Sequence, residues 1–212
     1  MIATDGTLPA TADAVIIGAG IVGAATAASL AAGGRRVCVI DRAGPLAGTT
    51  AAGEGNLLVS DKLPGPELAL ALRSLALWRE FAASDDGGEP RGAGFEFEPK
   101  GGVVVARSVA DLAALRDLAA QQRSAGVEVA GLDETSLGDY EPHLAAGLAG
   151  GAWYPQDCQV QPMSAAMAYL DLARRGGHLV LARAEATALE PASPGSAPVL
   201  VTGAGRISAP VV

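Results

Sequence analysis

The apolar residues of the first forty positions fall into three blocks of different texture. Residues 14–17 are a short continuous apolar run, and residues 21–32 an alanine-rich stretch stopped by Gly33-Gly34. Val37, Cys38, Val39 and Ile40 form a second short run that ends at Asp41. Four-residue apolar runs bounded by turn residues read as buried strands and the alanine-rich stretch as a helix, so the chain opens with a strand, helix, strand unit.

Beyond Asp41 the pattern changes. Residues 42–60 carry glycine, threonine and alanine where an ordinary doubly wound sheet would place another helix and strand, which predicts a binding loop or a linker. Leu68, Leu72, Leu75 and Phe81 recur at helical spacing and predict a helix over Pro66–Ala83, followed by a polar loop over 84–94. Residues 95–97 and 103–106 flank Pro99-Lys100-Gly101-Gly102 as a predicted hairpin, and Leu112, Leu115 and Leu118 predict a helix over Val109–Ser124. A strand is expected at 127–129, a short helix and loop at 134–144, a strand at 151–154 and a helix at 163–175 closed by Gly176-Gly177. Extended chain over 179–189 and a hairpin joining 199–202 to 207–212 complete the reading, with no internal repeat. An apolar strand at 209–212 is an unusual place for a domain to stop, so the chain is expected to be part of a longer protein.

Composition narrows the function classes. With 212 residues, half of them hydrophobic, the chain can fill one large core or two small ones. A formal charge of -8 offers phosphate backbones no basic surface, which sets nucleic acid aside as a partner. Cys38 and Cys158 suit neither a disulfide framework nor a metal site, and a reducing, cytoplasmic setting is expected. Residues 14–32 are uncharged and about 20 long, the length of a membrane span. Glycines near the start and Arg35-Arg36 at the end argue against that reading, and the acidic 1–13 segment argues against a signal peptide.

The chemistry lies in Gly18-Ala19-Gly20-Ile21-Val22-Gly23. It comes directly after a predicted strand, opens a predicted helix and precedes Asp41 by about 20 residues, the placement that a dinucleotide site requires. Gly18 permits the tight turn, Gly20 lets a diphosphate approach the backbone, and Gly23 lets the helix pack on the sheet. Free N–H groups at the helix start, including those of Ile21 and Val22, attract the diphosphate, and Asp41 can accept hydrogen bonds from ribose hydroxyls. NAD and FAD share this unit, so the residues after Asp41 must separate them.

The loop Gly48-Thr49-Thr50-Ala51-Ala52-Gly53-Glu54-Gly55-Asn56 supplies small residues and hydroxyls over which a flat ring and a phosphate can lie. Here the chain resembles the FAD-dependent oxidases and dehydrogenases of the D-amino-acid oxidase superfamily, nearest the group of glycine oxidase, sarcosine oxidase beta-subunit and opine oxidase or hydrogen cyanide synthase subunits. Residues 15–42, 48–66 and 157–189 carry the likeness. It implies an α/β fold in which a Rossmann-like FAD domain, 1–63 with 162–212, is interrupted by an α+β substrate domain over 64–161. It implies adenosine contacts from Asp41 and Arg42, although the family more often has glutamate at the first of these. It further implies hydroxyl contacts from Thr49 and Thr50, a turn beside the isoalloxazine at Glu54-Gly55-Asn56, and a backbone contact to adenine at Ala186. The implied reaction is oxidation of the C–N bond of a small amino acid or secondary amine by hydride transfer to flavin N5. The family's chain continues past this point and carries its substrate-carboxylate arginine there, so no catalytic residue is assigned.

Three readings stay open on the sequence: this flavoenzyme, an NAD(P)-dependent dehydrogenase, and a non-catalytic or truncated dinucleotide-binding subunit completed by a partner chain. The electron acceptor is open between oxygen and a quinone chain, and peripheral membrane association with the latter. His143 and His178 stand apart from other ligand types, and no metal is expected. Trp153-Tyr154 read as strand packing or as a cavity wall, and Glu54 as cofactor-proximal or as solvent-facing. Ser60 and Ser164 lack the context of a hydrolase nucleophile.

Overall fold

A computed structural model describes residues 6–85 and 87–212. Its elements begin with β1 (Ala14–Ile17), α1 (Ile21–Ala32), β2 (Val37–Ile40), α2 (Thr49–Ala52), β3 (Asn56–Leu57) and α3 (Pro66–Ala83). After a 3-10 turn at Arg91–Phe95 come β4 (Gly102–Ala106), α4 (Val109–Ser124), β5 (Ala130–Leu132), α5 (Leu137–Tyr140), β6 (Gly150–Tyr154) and β7 (Cys158–Gln159). The chain then forms α6 (Pro162–Arg175), β8 (Leu179–Leu181), β9 (Ala186–Glu190), β10 (Val199–Thr202) and β11 (Gly205–Ser208). It divides into two compact units, the residues up to Glu54 together with Gln161–Val212, and Gly55–Val160. The compact units part at 54/55 and 160/161; the resemblance implies domain bounds at 63/64 and 161/162.

In the first unit β1, β2 and β8 form a parallel sheet with β2 in the centre, in register from Ala14↔Val37 to Ile17↔Ile40 and from Cys38↔Leu179 to Ile40↔Leu181. Val37 and Val39 pack on α1 and α6 through Ala24, Ala27, Ala166, Leu170 and Ala173. Cys38 and Ile40, on the other face, pack against Leu200 and Ile207 of the antiparallel sheet β11-β10-β9. A strand covered on both faces must be apolar at every position, which is why 37–40 shows no alternation. The alanines of α1 and α6 bring the two helices close together. Pro162 opens α6, and the Gln161 side chain accepts the Ser164 N–H at 2.7 Å.

The predicted extended chain over 179–189 is two strands in two sheets, broken at Arg183, whose φ of 57° turns the chain. The C-terminal hairpin ends at Ser208 rather than running to 212. Past it the chain moves beside β1, where Val15 N–H donates to Val211 O at 2.9 Å.

The second unit holds the antiparallel sheet β4-β6-β5. Leu68 and Leu75 of α3 and Leu115 of α4 pack with Val104, Ala152 and Tyr154 of the sheet, so the helical spacing read along α3 marks its buried face. Three local expectations are corrected. Residues 95–97 form no strand: Phe95 ends the 3-10 turn, fully buried and stacked on Phe81 at 5.3 Å, so aromatic packing prevails over strand propensity. The partner of β4 is therefore β6. The short strand lies at 130–132 instead of 127–129, because Val127 N–H closes the end of α4 on Gln122 O at 3.0 Å.

Candidate functional site

β1 delivers the chain to Gly18, whose φ of +105° lies where side-chain-bearing residues are strained. The carbonyl oxygen of Gly18 stands 1.9 Å from the point a Cβ on Gly23 would occupy, so α1 can start directly on the end of β1 only with glycine there. A Cβ on Gly20 would lie 2.9 Å from Thr50 Oγ1. That buried hydroxyl accepts the Ile21 N–H at 3.0 Å and caps α1 from 29 residues away. The Ala24 N–H donates to Gly20 O at 2.8 Å and begins the helical ladder. The amides of Gly20, Val22 and Gly23 meet no acceptor among the described residues. Of the N–H groups expected to face a diphosphate, that of Ile21 is thus already engaged and three others remain, at the positive end of the helix dipole.

Asp41 closes β2 and ties the site together. Its Oδ2 accepts the Ala19 N–H at 3.0 Å, and its Oδ1 accepts those of Ala43 at 2.9 Å and Gly44 at 3.0 Å. A carboxylate oxygen has two acceptor positions, so Oδ1 is filled and Oδ2 keeps one for a sugar hydroxyl. The carboxylate expected as a ribose ligand is equally the brace between the glycine turn and the loop after β2. Asp41 also takes the Ala184 N–H on its carbonyl at 2.9 Å, which draws the segment before β9 to the same strand end. A cleft of about 430 Å³ results, lined by Gly18, Asp41, Arg42 and Ala186 among the expected residues. Ala47, Gly48, Ala184 and Glu185 line it as well. Gly48 opens the loop already singled out in the sequence, whereas no motif marked Ala47, Ala184 or Glu185; Ala184 is held there by its N–H on Asp41 O.

The family model of the FAD dependent oxidoreductases (DAO) matches residues 13–212. The chain belongs to that family. Among solved structures, this oxidoreductase-family chain is similar to glycine oxidase from Geobacillus kaustophilus, at 26% identity and a TM-score of 0.85 over 96% of this chain and 55% of that one. L-proline dehydrogenase from P. horikoshii matches at 22% identity and a TM-score of 0.83 over 96% of this chain and 52% of that one. An L-alpha-glycerophosphate oxidase from Mycoplasma pneumoniae, with FAD bound, matches at 18% identity and a TM-score of 0.82 over 95% of this chain and 53% of that one. The latter two likenesses show the fold alone. Among curated proteins none matches the sequence. The chain spans about half the length of the structures it matches.

Membership decides between the two dinucleotides in favour of FAD, and with it against the NAD(P) dehydrogenase reading. The other expected residues of this family member take up varied positions. Thr49 and Thr50 open the short helix α2, Thr49 exposed and Thr50 buried. Glu54 is exposed, Gly55 has a φ of +79°, and Asn56 begins β3 in register with Gln159. Tyr154 is fully buried with its hydroxyl on Gln122, and Trp153 lies against Tyr140 at 4.9 Å. His178 Nδ1 accepts the Val37 N–H at 3.1 Å, a structural part in setting the edge of β2. Ser60 is buried, and Ser164 lies in the first turn of α6. Among the described residues no group of three or more His, Cys, Asp or Glu side chains could hold a metal ion, and no helix is long and apolar enough to cross a membrane.

Proposed function

We propose that this chain holds FAD and forms part of a flavoenzyme that oxidises the C–N bond of a small amino acid or secondary amine. The observation that carries the reading is the turn Gly18–Gly23 braced by Thr50 and Asp41, with three backbone amides left without acceptors among the described residues. These residues fit the cofactor. The two close approaches leave room at Gly20 and Gly23 for backbone and ligand but for no side chain, and the cleft is within the ~300–1,000 Å³ of small-molecule sites.

In this reading the amides of Gly20, Val22 and Gly23 donate to the diphosphate. Thr50, having accepted from Ile21, still has its own hydroxyl proton to donate to it. The open position on Asp41 Oδ2 takes a ribose hydroxyl, Arg42 closes the adenosine side, and the backbone of Ala186 meets the adenine. Thr49 and the turn Glu54-Gly55-Asn56 lie on the way to the isoalloxazine, and residues 64–161 form the substrate-domain portion. FAD, when bound, supplies the hydride acceptor at N5, and the oxidised amine leaves as an imine that hydrolyses. The chain's own contribution is orientation and exclusion of water from the ring; no catalytic residue is assigned within it.

Purified protein showing bound-flavin absorbance bands that bleach anaerobically on addition of glycine, sarcosine or proline supports the proposal. Retained flavin that no amine bleaches would favour instead a binding subunit whose active site another chain completes.

A further inference from the structure

The carboxylate of Asp41 carries more backbone than contact with a sugar requires. Its Oδ1 takes the N–H groups of Ala43 at 2.9 Å and Gly44 at 3.0 Å, two and three residues further on. Its Oδ2 takes that of Ala19 at 3.0 Å, 22 residues back. The first two bonds close the chain after β2 into a turn on its own side chain, and the third reaches across to the glycine turn. With each oxygen tied to a different turn, the carboxylate has a fixed direction. All of these groups belong to the unit that contains the cleft, and Asp41 is part of its lining.

A ribose offers two neighbouring hydroxyls, and a carboxylate that holds both uses one acceptor position on each of its oxygens. The two oxygens of Asp41 have about four such positions between them, and three are taken. The one left is on Oδ2. Oδ1 has none, so the grip on both hydroxyls is closed to this side chain. To make it, Oδ1 would have to release Ala43 or Gly44, which exchanges one hydrogen bond for another and gains nothing. Glu185, the other carboxylate in the lining, is exposed and sits beside Ala186, on the segment set against the adenine.

We propose that Asp41 is a specificity-determining residue that reads a single ribose hydroxyl. A nucleotide lacking that hydroxyl loses its hold on the carboxylate, and one lacking the other does not. The inference rests on the FAD reading above and deepens it, from recognition of the ADP portion to the part of its sugar that the chain inspects. The bonds that limit the contact are the ones that stiffen the loop after β2, so the brace and the selectivity have one cause.

The test displaces FAD from the unmutated chain with ADP, 2′-deoxy-ADP and 3′-deoxy-ADP, read by flavin fluorescence. One deoxy nucleotide is expected to bind roughly tenfold more weakly than ADP, the worth of one hydrogen bond to a charged acceptor, and the other within about twofold of it. Asp41→Glu carries the carboxylate one methylene past the Ala43 and Gly44 amides and opens a position on each oxygen, so in that variant both deoxy nucleotides should be weaker than ADP. Two deoxy nucleotides that are equally weak in the unmutated chain, or both equal to ADP, overturn the proposal and leave recognition of ADP standing. An Asp41→Glu variant that keeps the parent's preference overturns it too, because another group would then read the sugar. The comparison in the unmutated chain decides alone if Asp41→Glu does not fold. If the unmutated chain binds neither FAD nor ADP, the FAD reading itself falls, and this inference with it.

Discussion

Replacing Gly23 by alanine should do measurable harm far beyond the size of one methyl group. The new Cβ would stand 1.9 Å from Gly18 O, 3.1 Å from the Gly18 carbonyl carbon and 3.2 Å from Ile16 Cγ2. A carbon approaches a carbonyl oxygen to about 3.3 Å, so α1 must retreat by roughly 1.4 Å. The atom in the way is backbone and has no rotamer to yield. A shift of that size takes the Ile21 N–H beyond hydrogen-bond reach of Thr50 Oγ1, now at 3.0 Å. Overpacking costs about 1–3 kcal/mol and the lost bond about 1, while alanine returns about 1 through helix propensity, for a net of about 1–3 kcal/mol. In a chain of this size that is a melting temperature lower by about 2–12 °C. Thermal melts followed by circular dichroism, with FAD titrations monitored by flavin fluorescence, should show that drop and a loss of at least tenfold in affinity. Gly33→Ala, at the other end of α1 with its nearest contact at 3.3 Å, should melt within about 2 °C of the parent. If Gly23→Ala melted with the parent and bound FAD equally well, the close approach of helix and strand would be refuted.

Thr50→Val keeps the shape of the side chain but gives the Ile21 amide no acceptor; it should lower stability by about 1–2 kcal/mol and weaken FAD, with Thr50→Ser restoring most of both, as read by denaturant melts and fluorescence titration. Burial pushes the Cys38 thiol up to about 11 and also raises that of Cys158. Neither should react with an aromatic disulfide reagent at pH 8 until denaturant is added, and rapid labelling of the native protein would contradict their burial.

How much of the fold and the site was legible depends on how far apart in sequence the deciding partners lie. The opening unit could be read because its signals are local: an apolar run, glycines at fixed spacing and a carboxylate at the next strand end. The sequence could place Asp41 but not show that its carboxylate serves three backbone amides, since these come from two separate turns. It marked Thr50 as a hydroxyl near a cofactor and gave no sign that it caps α1. Phe95 misled because a phenylalanine that stacks on Phe81 has the same letter as one in a strand. Gln122 looked like any polar position on an amphipathic helix, yet it is fully buried, bonded to carbonyls more than 59 residues earlier in the chain. The pairing of β4 with β6 and the placement of Val211 beside β1 are decided by the same long-range packing, which periodicity does not record.

The claim on which the rest depends is that the glycine turn, Thr50 and Asp41 recognise the ADP portion of FAD. The most direct measurement is competition at equilibrium, in which flavin-free protein is loaded with FAD and challenged with ADP or with riboflavin. ADP should displace FAD from a single site per chain, and riboflavin, which has the ring without the diphosphate or adenosine, should not. Displacement by riboflavin with no effect of ADP, or the absence of FAD binding altogether, would contradict the account.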